Sequence, residues 1–165
     1  MNLPSFHVIA EETVSHAAAR IKKLPPPVIF GILVVPHLYL GLVCGMIAPF
    51  PWTIPSLLFL TSGGLLGFLS ILKFHREGIS PLPWTPNTVA LFTHGIYGLS
   101  RNPMYLSLIF GLLGIGITMG PLLLLITLPL LIHFLSHVID GEEKMNGLIF
   151  KKLFAEYCSK TRRWL

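Results

Sequence analysis

The chain has 165 residues, of which 53% are hydrophobic and 12% charged, with a mean hydropathy of +0.73. Soluble domains carry about 25% charged residues, so a chain this short cannot hide its apolar excess in a water-exposed globule; a membrane protein of a few helices remains. Two cysteines, Cys44 and Cys158, exclude a disulfide framework, and no Cys/His spacing resembles a zinc site.

The opening segment has two acids ahead of its basic cluster and no apolar core beside its first residue, which predicts a retained segment rather than a cleaved signal. Phe6, Ile9, Ala10, Val14, Ala17, Ile21 and Leu24 recur at helical spacing, with Arg20, Lys22 and Lys23 following. That pattern suits an amphipathic helix in the membrane interface over residues 1–27, with an Ala-rich loose arm as the alternative. Pro25 to Pro27 end it.

Val28 to Ala48 and Ile54 to Leu72 carry no charge, and each is close to the roughly 20 residues that cross a bilayer. The connector between them contains Trp52, suited to a turn at the lipid interface. Asn102 to Ile139 is also uncharged and nearly twice the hydrocarbon thickness at about 1.5 Å per residue, so it folds back, with Gly120-Pro121 as the reversal point. Pro129 kinks the last span without breaking it. The expected fold is an all-α, polytopic membrane helical bundle of about four transmembrane helices with amphipathic N- and C-terminal helices, forming a single integral membrane domain over 1–165.

Four spans leave residues 1–27, 73–101 and 140–165 on one side, and these hold all 12 Lys and Arg and all 7 acids. The positive-inside rule then places both termini and the long loop in the cytoplasm. Chemistry that needs ions belongs to that face, and the net charge of +5 reads as orientation and attraction to lipid headgroups, not as a nucleic-acid surface.

The loop from Lys73 to Arg101 is long and rich in Pro and Gly, which favours function over idle connection. In Ser100-Arg101-Asn102-Pro103-Met104-Tyr105, Pro103 suits a first helical turn and Asn102 its cap. Free helix-end N–H groups beside Arg101 make either an anion seat or a plain cap with a snorkelling arginine. Asp140-Gly141-Glu142-Glu143 offers either a cation or base site, or a solvated helix start. Met145, Leu148, Ile149, Leu153, Phe154, Tyr157 and Trp164 give the basic segment after it an apolar side, to pack on the bundle or lie on the membrane. His133 and His137 share a helix face and read as pocket-lining or hydrogen-bonded histidines, not metal ligands; no metal is expected. Gly63 and Gly67, like Gly116 and Gly120, have the spacing of close helix contacts.

Gly95-Ile96-Tyr97, then Arg101-Asn102-Pro103-Met104-Tyr105, then Glu142-Glu143, then Phe150, Phe154, Tyr157 and Thr161-Arg162-Arg163-Trp164 follow one another in an order that resembles the isoprenylcysteine carboxyl methyltransferase and phospholipid methyltransferase superfamily of integral membrane enzymes. Gly78-Ile79-Ser80-Pro81-Leu82-Pro83 is similar to the proline-rich approach of many prokaryotic members, so the resemblance covers residues 78–165 as a methyltransferase-like core. It departs from the pattern at Asn102, where the prenylcysteine enzymes have His, at Val138, where they have a substrate-associated Arg, and at Lys151, where a Gly is usual. The missing cation at Val138 removes support for a prenylcysteine acceptor.

The resemblance implies S-adenosylmethionine held by Val89, Ala90, Leu91, Phe92, Tyr97, Asn102, Pro103, Met104, Tyr105 and Glu142, and a lipophilic methyl acceptor arriving through the bilayer. Arg101 and Glu143 are the expected catalytic residues, Glu143 as the base an amine acceptor would need. Two other classes compete. An NADPH-dependent sterol reductase shares a related helical arrangement but is a much longer chain, and a non-catalytic membrane binding protein would have no need of Tyr97, Arg101, Pro103, Tyr105 and Glu142 together.

Overall fold

The computed structural model describes residues 6–9, 25–79 and 89–165. Its elements are β1 (Phe6–Ile9), α1 (Pro26–Leu38) continued by a π-helical turn (Tyr39–Val43), α2 (Thr53–Arg76), β2 (Val89–Phe92), the single turn α3 (Ile96–Leu99), α4 (Pro103–Thr118) and α5 (Pro121–Lys160). Among the described residues, Pro26–Val43, Thr53–Arg76 and Pro121–Lys160 are long and apolar enough to cross a membrane. With 16 residues, α4 is shorter; at about 1.5 Å per residue it reaches about 24 Å of the roughly 30 Å hydrocarbon layer. The all-α membrane bundle expected from composition is therefore the observed class, and the reversal at Gly120-Pro121 separates α4 from α5, with Gly120 at φ +120°.

Three boundaries differ from the periodicity. The N-terminal helix does not hold over Phe6–Ile9, which form a strand antiparallel to β2 with Phe6 opposite Phe92 and Ile9 opposite Val89. Phe, His, Val and Ile all favour extended backbone over helix, and the edge of β2 supplies partners for their N–H and C=O groups. The rest of that expected helix, from Ala10 to Leu24, and the proline-rich run from Ser80 lie outside the described residues. The first span stops at Val43, not Ala48. Pro36 brings no N–H to the ladder, the next turn widens to π spacing, and Gly45 turns left-handed at φ +67° while Met46 N–H closes on the Leu40 carbonyl at 2.9 Å. The last span and the C-terminal amphipathic segment are joined in α5, whose backbone leaves helical geometry at Lys151 (φ 45°, ψ −112°).

The chain divides into two units. An apolar unit comprises Leu24–Phe68 and Met104–His137, and a charged unit comprises Met1–Lys23, Leu69–Pro103 and Val138–Leu165. Among the described residues every Asp, Glu, Lys and Arg falls in the charged unit. This is the segregation that the sequence predicts for one membrane face.

Within the apolar unit, α2 and α4 approach backbone to backbone. A Cβ on Gly63 would stand 3.0 Å from the Ser107 carbonyl oxygen, and one on Gly114 would stand 2.6 Å from Leu60 Cγ. The Ser56 hydroxyl donates to the Gly114 carbonyl at 2.5 Å, so small residues and a side-chain hydrogen bond replace the hydrophobic drive that lipid cannot supply. His37 is fully buried in α1, its ring nitrogens 3.2 Å from the Met119 carbonyl oxygen and 2.9 Å from the Thr127 hydroxyl.

Within the charged unit, β2 buries residues on both faces. Phe92 packs with Ile79 and Tyr97, and Leu91 packs with Phe150 and Tyr157.

Lys151 occupies the position at which the family pattern has Gly, and it holds a positive φ that costs a side-chain-bearing residue about 1–3 kcal/mol. Lys151→Gly is expected to raise the thermal unfolding midpoint in detergent, by an amount equivalent to about 1 kcal/mol once the added chain entropy of glycine is set against the relieved strain. Lys151→Val, β-branched at the same φ, is expected to lower it.

Candidate functional site

The expected site residues divide between the units. Val89 to Phe92, Tyr97, Arg101, Asn102, Pro103, Glu142 and Glu143 belong to the charged unit, whereas Met104 and Tyr105 belong to the apolar one.

Two arginines meet on one carboxylate. Arg101 donates from Nε and Nη2 to Glu143 Oε1 at 3.1 and 2.9 Å, and Arg163 donates from Nη2 to Oε2. Arg163 Nη1 reaches Asp140 Oδ1 at 2.9 Å, and these bonds hold its guanidinium more firmly protonated, with the hydrogen bond it donates to Glu143 the largest cause. The remaining Arg101 nitrogen, Nη1, donates to the carbonyls of Thr161 (2.7 Å) and Cys158 (3.3 Å). Arg101 and Glu143 are largely withdrawn from solvent. Charge-assisted bonds of this kind are stronger than neutral ones, and the planar guanidinium fixes direction as well as distance.

The backbone completes the arrangement. Asn102 Nδ2 and the Ser100 hydroxyl both donate to the Arg163 carbonyl, at 3.0 and 3.3 Å, and Arg101 N–H donates to the Arg162 carbonyl at 2.9 Å. The Ser100 hydroxyl also accepts from Asn102 N–H. The Asn102 amide N–H thus holds the tail, and residues 161–163 are strapped across residues 100–102.

An aromatic cluster stands beside this strap. The Phe92 ring lies 4.9 Å from Phe74 and 5.4 Å from Tyr97, with Lys73 Nζ 5.5 Å from the Phe92 centroid and 2.7 Å from Glu77. The Tyr157 hydroxyl donates to the Tyr97 carbonyl at 2.5 Å. By contrast, the Tyr97 hydroxyl is buried and makes no hydrogen bond of ordinary geometry among the described residues. Burial pushes the phenol upward from its ordinary pKa; the Ser70 hydroxyl pulls it back, and Tyr157 and Glu142 add to the rise.

The Leu91 and Phe92 side chains are buried against protein, and Ala90 is half-buried beside Phe92. Sequence reasoning missed Arg163, Ser100, Thr161 and Phe74 as parts of this assembly. For Arg163 the signal was present, since it closes the motif run that begins at Gly95, but its partners stand 20 and more residues away.

The family model described as phospholipid methyltransferase matches residues 53–152, more than half of the chain and spanning α2 through most of α5. No curated protein and no solved structure matches.

Replacing the shared carboxylate leaves two guanidiniums without their partner. Glu143→Gln is expected to destabilise the protein by about 2–3 kcal/mol, seen as a lower thermal midpoint, and to speed tryptic cleavage at Arg162 and Arg163 as the tail comes free. Unchanged cleavage would show that the strap does not depend on the clamp.

Proposed function

The chain belongs to the phospholipid methyltransferase family, and from that premise we propose that it transfers a methyl group from S-adenosylmethionine to a lipophilic acceptor, with the donor held by the charged unit. The observation that carries this reading is the Tyr97 hydroxyl: it is buried, makes no hydrogen bond of ordinary geometry among the described residues, and feels the charge of Glu142. A buried polar atom without a partner costs free energy that a bound polar ligand recovers.

The residues present fit such a donor. Glu142 supplies a carboxylate for an ammonium or for ribose hydroxyls, and Tyr97 supplies a hydroxyl to the same ligand. The Tyr97 ring would give the sulfonium an aromatic neighbour. Ala90, Asn102 and Pro103 complete the proposed wall.

When bound, the donor supplies an electrophilic methyl group; the chain's own residues supply orientation and exclusion of water. Glu143 accepts from both Arg101 and Arg163, so the proposed part of Arg101 and Glu143 is to hold the Asn102-Pro103 corner and the tail in place. An acceptor that reacts as an anion needs no base from the protein, and an amine acceptor would have to give its proton to Glu143 or to water.

Orientation belongs to the same proposal: both termini and the charged unit face the cytoplasm, a reading supported by the distribution of Lys and Arg.

Calorimetry on detergent-solubilised protein is expected to give saturable binding of S-adenosylhomocysteine. Glu142→Ala should weaken it by about 1.5–3 kcal/mol, roughly 10- to 150-fold, the range for a charged hydrogen bond. A folded protein that binds neither S-adenosylhomocysteine nor S-adenosylmethionine would overturn the proposal. Reporter fusions are expected to find both termini on the cytoplasmic side, and an external C-terminus would reverse the orientation.

A further inference from the structure

The face of α5 in the apolar unit exposes Leu122, Ile126 and Leu130, spaced by whole helical turns, and the same stripe continues into His133 and His137. Both histidines are exposed, and their rings meet edge to face with centroids 4.6 Å apart. Among the described residues no hydrogen bond or ion pair engages either ring. His37, in the same unit, shows the opposite treatment: fully buried, with a polar partner at each ring nitrogen.

Both rings lie inside the uncharged tract, six and two residues before its end at Ile139, or about 9 and 3 Å along a helix. A polar group facing lipid without a partner is costly, and ionisable side chains in spans mark ligand contacts. Both rings thus lie within about two helical turns of the end of that tract, on the side where the charged residues begin. Each imidazole has an N–H to donate, and the two side chains project in the same direction. An anionic group with several oxygens accepts both donors at once, and acyl chains fit the leucine and isoleucine stripe that leads to them.

We propose that His133 and His137 form a seat for the phosphate group of a single membrane lipid, whose acyl chains lie along Leu122, Ile126 and Leu130. This assignment stands apart from the methyl-transfer reading, because lipid retention is measured without donor or acceptor chemistry.

Native mass spectrometry of the full chain, released from dodecyl maltoside, tests it with two probes of equal acyl length, phosphatidate and diacylglycerol. One phosphatidate is expected to remain bound at concentrations at which diacylglycerol is lost. His133→Leu with His137→Leu, substitutions that keep an exposed face compatible with lipid, should weaken phosphatidate retention at least tenfold, with the helical circular dichroism signal unchanged. Inorganic phosphate alone should not bind. Equal retention of the two lipids by the unaltered protein, or equal phosphatidate retention by the double variant, would overturn the seat. Should the double variant fold poorly, the single variants His133→Leu and His137→Leu decide in its place: each is expected to weaken phosphatidate retention severalfold, and retention unchanged in both would overturn the seat.

Discussion

Glu143 is the point on which the charged unit turns. One carboxylate, largely withdrawn from water, receives hydrogen bonds from two guanidiniums that come from opposite ends of the unit. Buried ion pairs gain little net stability over apolar packing, but removing one partner from such a set is expensive. The value of the arrangement is therefore in what it fixes: the corner at Asn102-Pro103, the tail at residues 161–163, and with Tyr157 the carbonyl of Tyr97. The elements named as a donor site are held mostly by polar bonds, in a chain whose mass is apolar.

The apolar unit solves a different problem. Lipid offers no hydrophobic incentive for helices to meet, so α2 and α4 meet through glycine and through the Ser56 hydroxyl. His37 ties α1 to the Met119 carbonyl and to Thr127 in the same manner. Removing these small or polar contacts would leave helices that remain stable individually and have lost their reason to associate.

Much of this was legible in advance because each signal was either compositional or local. The absence of charge from Ile54 to Leu72 and from Asn102 to Ile139 fixes where helices cross, and Gly120-Pro121 fixes where the second tract reverses. Order and spacing of Gly95 to Arg163 point to the family later found over residues 53–152. What sequence does not show is partnership across distance. Nothing near Phe6 reveals that the edge of β2 awaits it, so a helical spacing of apolar residues misleads there. The acids at Asp140 to Glu143 read as a base or a solvated helix start, and only folding reveals that Arg101 and Arg163 already hold Asp140 and Glu143. Lys151 is the instructive middle case: its departure from the family pattern was visible, and the backbone there keeps the positive φ a glycine would adopt freely.

The strap from the tail also sets an order in time. Asn102 and Arg163 are 61 residues apart, and Glu143 and Arg163 are 20 apart. At about 5–20 residues per second, synthesis leaves the Asn102 corner without its tail for about 3–12 s, and Glu143 without its second guanidinium for about 1–4 s. During that interval the apolar helices can already be in the bilayer, while the charged unit is still open. Assembly of the proposed donor site is thus a late event, which no earlier stretch of the chain can complete by itself.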